Sequence, residues 1–143
     1  MTLYSIIALA AMAFVAVSMV AANSETAEQK SGNSEGTKEI QAREARSLIE
    51  QRKPDGLVIL DVRTKAEFGD GHINNAVNVD YKAEDFREKL SALDTSATYV
   101  VYCRSGRRSA EATEIMEEMG FTDIYHLEDG VLGWHKAGLP LTR

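Results

Sequence analysis

The 143-residue sequence is short of cysteine, with a single thiol at Cys103. One cysteine excludes an internal disulfide and a cysteine-based metal cage. The three histidines, His72, His126 and His135, lack the close spacing of a zinc pair. No metal or other cofactor is therefore expected. Basic charge is also scarce: 16 Lys and Arg stand against 22 Asp and Glu, a formal net charge of −6. Without an extended basic stripe, nucleic acid is not an expected partner. What remains is a chain of one-domain length in which any chemistry rests on one thiol.

One long apolar run is present. The stretch "LYSIIALAAMAFVAVSMVAA" (Leu3–Ala22) carries no charge. As a helix it would cover about 30 Å, enough to cross a bilayer. Val20 and Ala22 are small residues of the kind a signal cleavage site uses, so a secretory signal competes with an anchor. Against cleavage, the run exceeds a usual signal core and no Lys or Arg precedes it. Residues 1–22 are thus expected to be a signal peptide or membrane anchor, and the only part to touch a membrane. The expected location is exported, periplasmic or membrane-anchored. Lys30, Lys38 and Arg43 follow the run, and the positive-inside rule keeps a cytoplasm-facing anchored domain as the alternative. Residues 23–37 are polar and read as a flexible tether. Residues 38–143 form the expected folded domain, large enough to need no covalent staple.

Within that domain, short apolar runs alternate with helical spacing. "LVILDV" (Leu57–Val62) and "TYVVYC" (Thr98–Cys103) are β-branched and nearly continuous, as buried parallel strands are. "AVNV" (Ala76–Val79) and "DIYHL" (Asp123–Leu127) are weaker candidates of the same kind. Ala42, Ala45, Leu48 and Ile49 fit one helical face, as do Phe86, Leu90 and Leu93. Ala112, Ile115, Met116 and Met119 do the same, and Gly120 supplies a helix stop. Strands alternating with helices imply an α/β fold: a parallel sheet of about five strands with helices on both faces.

Ligands of such sheets gather outside the carboxyl ends of the strands. Cys103 stands at that end of one strand, just before a helix expected from about Arg107 to Met119. A helix start offers free N–H groups and about half a positive charge, which favour thiolate over thiol. Arg104, Arg107 and Arg108 are expected to push the same way and to suit an anionic substrate. Ser105 and Gly106 give the loop a small centre, and glycine can adopt the positive φ that a tight cradle demands.

The motif "CRSGRR" resembles the C-x-x-G-x-R active loop of the rhodanese sulfurtransferases. "ILDVRTKAEFGDGHINNAVNV" (Ile59–Val79) is similar to that family's D-V-R…E-F…G-H-I…A-x-N block. "LEDGVLGWHKAGLP" (Leu127–Pro140) is similar to its closing G-x-x-x-W…G-x-P segment. The blocks stand in family order across residues 38–143. The resemblance implies a rhodanese-like domain in which Cys103 takes a sulfane sulfur as a persulfide. Arg104, Ser105, Gly106, Arg107 and Arg108 would form the cradle, with Asp61 and Arg63 as structural support. It implies a small anionic sulfur donor such as thiosulfate and a thiophilic acceptor such as cyanide or a thiol. A non-turnover binding module, or one fed by a sulfur-relay protein, is the alternative.

Loop length separates this chemistry from that of cysteine phosphatases. Those carry C-x5-R, a larger ring, whereas Arg108 here gives C-x4-R. Arg63 is expected to pair with Glu67 or another acid, and Asp61 to fix a loop through a hydrogen bond. His72 is expected to be satisfied and partly buried, Trp134 to pack, and His126 and His135 to lie on the surface or in routine hydrogen bonds. Asn74 and Asn75 replace a common Pro-Gly, and Asp129 a common glycine. Asn and Asp tolerate left-handed backbone, so local adjustment is expected at these positions.

Overall fold

The computed structural model describes residues 36–52 and 56–143. The expectations for residues 1–22, and for most of 23–37, lie outside the described residues. Among the described residues ten elements alternate: β1 (Lys38–Ile40), α1 (Ala42–Arg52), β2 (Leu57–Asp61), α2 (Lys65–Asp70) and β3 (Val77–Asn78). After these come α3 (Phe86–Ser91), β4 (Thr98–Tyr102), α4 (Arg107–Glu118), β5 (Asp123–Leu127) and α5 (Gly130–Lys136). The five strands form one sheet in the order β1-β5-β4-β2-β3, and every pairing is parallel.

Side chains alternate across a strand, and here both faces are apolar because helices cover both. Tyr99, Val101 and Cys103 point to one core with Leu60 and Ile124, closed by Phe86 and Leu90 of α3 and Ala112 and Met116 of α4. Val100 and Tyr102 point to the other with Ile59 and Leu127, closed by Ala45 and Ile49 of α1 and Trp134 of α5. This two-sided burial is why β2 and β4 are unbroken apolar runs.

Three elements carry no signal of their own in the sequence. β1 has three residues, while α2 and α5 have six and seven, too short for a clear helical period. A capping box starts α2: the Thr64 hydroxyl accepts from the Glu67 N–H, and the Glu67 side chain accepts from the Thr64 N–H. Two strands also end one residue earlier than their apolar runs, so Val62 and Cys103 leave the sheet instead of finishing it.

At the end of β2, fully buried Asp61 meets buried Arg63. Its Oδ1 accepts from the Arg63 amide at 2.9 Å and from Nε at 3.0 Å, and its Oδ2 accepts from Nη2 at 2.7 Å. Arg63 Nη2 also donates to the Gly71 carbonyl at 2.7 Å, and Asn78 Nδ2 donates to the Asp61 and Arg63 carbonyls. One ion pair therefore ties β2 to the α2–β3 segment. Removing one partner strands the other charge without water, at a typical cost of about 3–5 kcal/mol. Asp61→Ala should lower the unfolding free energy by that amount in urea titration; a loss below about 1 kcal/mol would contradict this role.

Candidate active site

The backbone leaves β4 at Tyr102 and enters α4 at Arg107, so Cys103 to Gly106 form a tight loop beneath the helix start. Gly106 makes the turn possible. Its φ is +96°, and a Cβ built there would lie 1.8 Å from the Glu128 carbonyl oxygen. No residue with a side chain fits both conditions. The first turn of α5 braces the loop from outside: the Val131 N–H donates to the Cys103 carbonyl at 2.9 Å, and Leu132 N–H to that of Arg104 at 3.1 Å. Gly130, at φ +56°, lets this turn approach, since a Cβ there would stand 2.5 Å from the Cys103 oxygen.

Cys103 is 1% exposed. Its Sγ accepts from the Gly106 N–H at 3.2 Å and from the Ser109 hydroxyl at 3.3 Å. Burial is the largest single influence on the thiol and pushes its pKa up. The Ser109 hydroxyl and the amides of Ser109, Ser105 and Gly106 together outweigh burial, leaving the thiol below its ordinary value. Fixed dipoles thus favour the anionic form of this sulfur.

The arginines do something other than the sequence suggests. Arg104 and Arg107 are exposed, the latter with 79% of its side chain in solvent and an ion pair to Glu111 at 3.6 Å. Neither lines the sulfur. Arg108 is mostly buried and gives both terminal nitrogens to Glu67, at 2.8 Å each. Around Sγ itself stand backbone N–H groups and the Ser109 hydroxyl, and Arg108 lies close enough for its charge to interact with that of Cys103. Ser105 and Gly106 serve through their amides, and Arg108 locks the loop to α2. Arg63 pairs with Asp61 rather than Glu67, since the capping box already aims Glu67 at Arg108.

His72 is half-buried, with Nδ1 2.9 Å from the Phe68 carbonyl and its ring stacked on Phe68. Trp134 packs in the core, with its Nε1 donating to the Pro140 carbonyl at 2.9 Å. Asn75 takes the left-handed turn at φ +64°. Asp129 needs no such conformation, at φ −91°; instead its side chain sits where a Cβ on Gly133 would fall.

Ser109 and His126 are the residues that sequence reasoning missed. Ser109 is fully buried in the first turn of α4, and His126 is 4% exposed rather than on the surface. His126 Nε2 lies 2.7 Å from Ser109 Oγ, and its Nδ1 lies 2.7 Å from Glu39 Oε2. A signal did exist: His126 shares strand parity with the core residue Ile124, which points it toward α4.

The rhodanese-like domain family matches residues 41–137. The chain belongs to that family. A rhodanese-related protein from Thermoplasma volcanium has the same fold, with a TM-score of 0.62 and 30% identity over 73% of this chain and 97% of that one. Thiosulfate sulfurtransferase 16, chloroplastic, of Arabidopsis thaliana is 40% identical over 91 residues, 57% of this chain and 76% of that protein. The tRNA uridine(34) hydroxylase of Buchnera aphidicola subsp. Acyrthosiphon pisum is 33% identical over 112 residues, 71% of this chain. This rhodanese-like chain matches 33% of the hydroxylase's length.

Glu67 gives the locked loop a pH signature. Hydrogen bonds from Arg108 hold its carboxyl at about 2, against 4.5 for a free glutamate; burial opposes the shift and Thr64 supports it. Because the folded value is the lower one, the pair's contribution to stability is complete above pH 4.5. It is lost as the pH falls from there through about 2. Glu67→Gln should lower stability at neutral pH and flatten the acid limb of a stability–pH curve. An unchanged limb in urea unfolding between pH 6 and 3 (roughly the span of a carboxylate titration) would contradict the pairing.

Proposed function

We propose that this domain is a sulfurtransferase that carries a sulfane sulfur on Cys103 between an anionic donor of the thiosulfate class and a thiophilic acceptor. The observation that carries this reading is the Cys103 sulfur, hydrogen-bonded by Gly106 and Ser109 at the start of α4, with its pKa below the ordinary value.

The chemistry balances without a cofactor. The thiolate attacks the outer sulfur of thiosulfate; a new S–S bond forms, the old one breaks, and sulfite leaves with the bonding pair. The terminal sulfur of the persulfide carries negative charge that N–H donors suit better than water, since they need no reorientation. Cyanide or a thiolate then attacks that sulfur, and Cys103 returns as thiolate. Arg104 and Arg107, exposed at the mouth of the loop, raise the local concentration of a dianion by attraction through solvent. The near-complete burial of Cys103 favours a small donor over one carried on a protein surface. The C-x4-R ring, shorter than the phosphatase loop, favours sulfur over phosphoryl transfer. The Arabidopsis relative, named as a thiosulfate sulfurtransferase, supports the same class.

Thiocyanate formation from thiosulfate and cyanide tests the reading. The wild-type protein should turn over, and Cys103→Ser should lose at least about a thousandfold, as expected when a nucleophile is removed. No wild-type turnover, or equal rates in the two proteins, would overturn it.

A further inference from the structure

Behind the thiol lies a chain of polar groups that the transfer chemistry does not use. Ser109 Oγ–H stands within reach of three acceptors: Cys103 Sγ at 3.3 Å, the Gly106 carbonyl at 3.0 Å and His126 Nε2 at 2.7 Å. It has one hydrogen to give. His126 is held by Glu39 Oε2, 2.7 Å from Nδ1, and a carboxylate oxygen only accepts, so Nδ1 carries a hydrogen. Glu39 is paired in register with His126 across β1 and β5, which puts both side chains on the same face of the sheet. That face is the one covered by α4.

Who receives the serine hydrogen depends on the histidine. When Nε2 is unprotonated, it is the nearest acceptor and takes the hydrogen away from the sulfur. When Nε2 is protonated, it donates to Ser109 Oγ and to the Gly106 carbonyl, 3.1 Å away. The nearest acceptor is then lost to the serine hydrogen, which turns toward Sγ and the Gly106 carbonyl. A thiolate and an imidazolium therefore favour each other through one hydroxyl.

Resting on Cys103 as the reacting thiol, we propose that His126 is a positioning residue that takes the Cys103 proton through Ser109 and is oriented by Glu39. As the proton leaves Sγ for Ser109 Oγ, the serine's own hydrogen passes to His126 Nε2. One S–H and one O–H bond break, one O–H and one N–H bond form, and no electron changes hands. The products are the thiolate and an imidazolium facing the Glu39 carboxylate. Among the other neighbours, the Arg108 charge interacts with Cys103 and is unaltered in every variant below. β4 presents uncharged Val101 in register with His126, and α4 presents uncharged Thr113 one turn beyond Ser109. Glu128, two residues along the chain, has its side chain exposed, and Arg108 is engaged by Glu67.

The full chain has one cysteine, so its ultraviolet thiolate absorbance below the range of tyrosine ionisation reports Cys103 alone. Thiolate titration and the pH profile of thiocyanate formation should be measured together on wild type, His126→Gln, Glu39→Gln and the control His135→Gln, which alters an exposed residue of α5. In His126→Gln the thiolate midpoint should rise by about one pH unit, a roughly tenfold loss of thiolate well below the midpoint. Glu39→Gln should shift it the same way by less, and His135→Gln should leave it in place. The side chain of Glu39 is 56% exposed, so its variant keeps the fold and carries the test if His126→Gln does not. Midpoints equal to wild type in both variants would overturn the coupling even if sulfur transfer proceeds. A shifted midpoint in a protein without wild-type turnover would uphold the coupling and reject the sulfurtransferase reading instead.

Discussion

Offsetting the burial of one thiol with fixed dipoles is the constraint on which this structure turns. Burial alone would hold Cys103 protonated and inert. Its pKa is brought down by donors that converge on it from one tight turn, and the turn exists because Gly106 adopts φ +96° under the Glu128 carbonyl. Gly130 then admits the brace from α5, whose first N–H groups cap the carbonyls of Cys103 and Arg104. Each dipole is fixed before any substrate arrives, which is the condition for electrostatic stabilisation in a low-dielectric site.

Two ion pairs keep that turn in place from the β2 side. Asp61 and Arg63 close the end of β2 and reach the α2–β3 segment. Glu67 then carries the link from α2 to Arg108 in the first turn of α4. The acids and bases of the D-V-R…E-F block thus form a frame around the loop rather than a catalytic set. Arg104 and Arg107 lie in solvent, Arg107 beside Glu111 at 3.6 Å, where attraction for an anion acts at a distance.

Much of this was legible in the residues. The runs at Leu57 and Thr98 read as strands because burial on both faces removes polar alternation, and Cys103 at a strand end followed by a helix pattern marked the site. Short elements were not legible: β1 is only three residues, and α5 is under two turns. The larger gap was strand order. Nothing along the chain says that β5 lies between β1 and β4, yet that order alone brings Glu39 and His126 behind Ser109. Arginine geometry was hidden for a related reason. Proximity in sequence put three cations near the thiol, but it did not say that Arg108 turns to Glu67 while Arg104 and Arg107 stay in solvent.

The central claim is that the Cys103 cradle stabilises sulfur-borne negative charge well enough to hold a transferred sulfur. Intact-mass spectrometry of the protein after exposure to thiosulfate and removal of excess reagent tests it most directly. The account predicts a gain equal to one sulfur atom, located by peptide mapping on Cys103, and removed by cyanide. A mass unchanged after thiosulfate, or a gain that persists in Cys103→Ser, would contradict it.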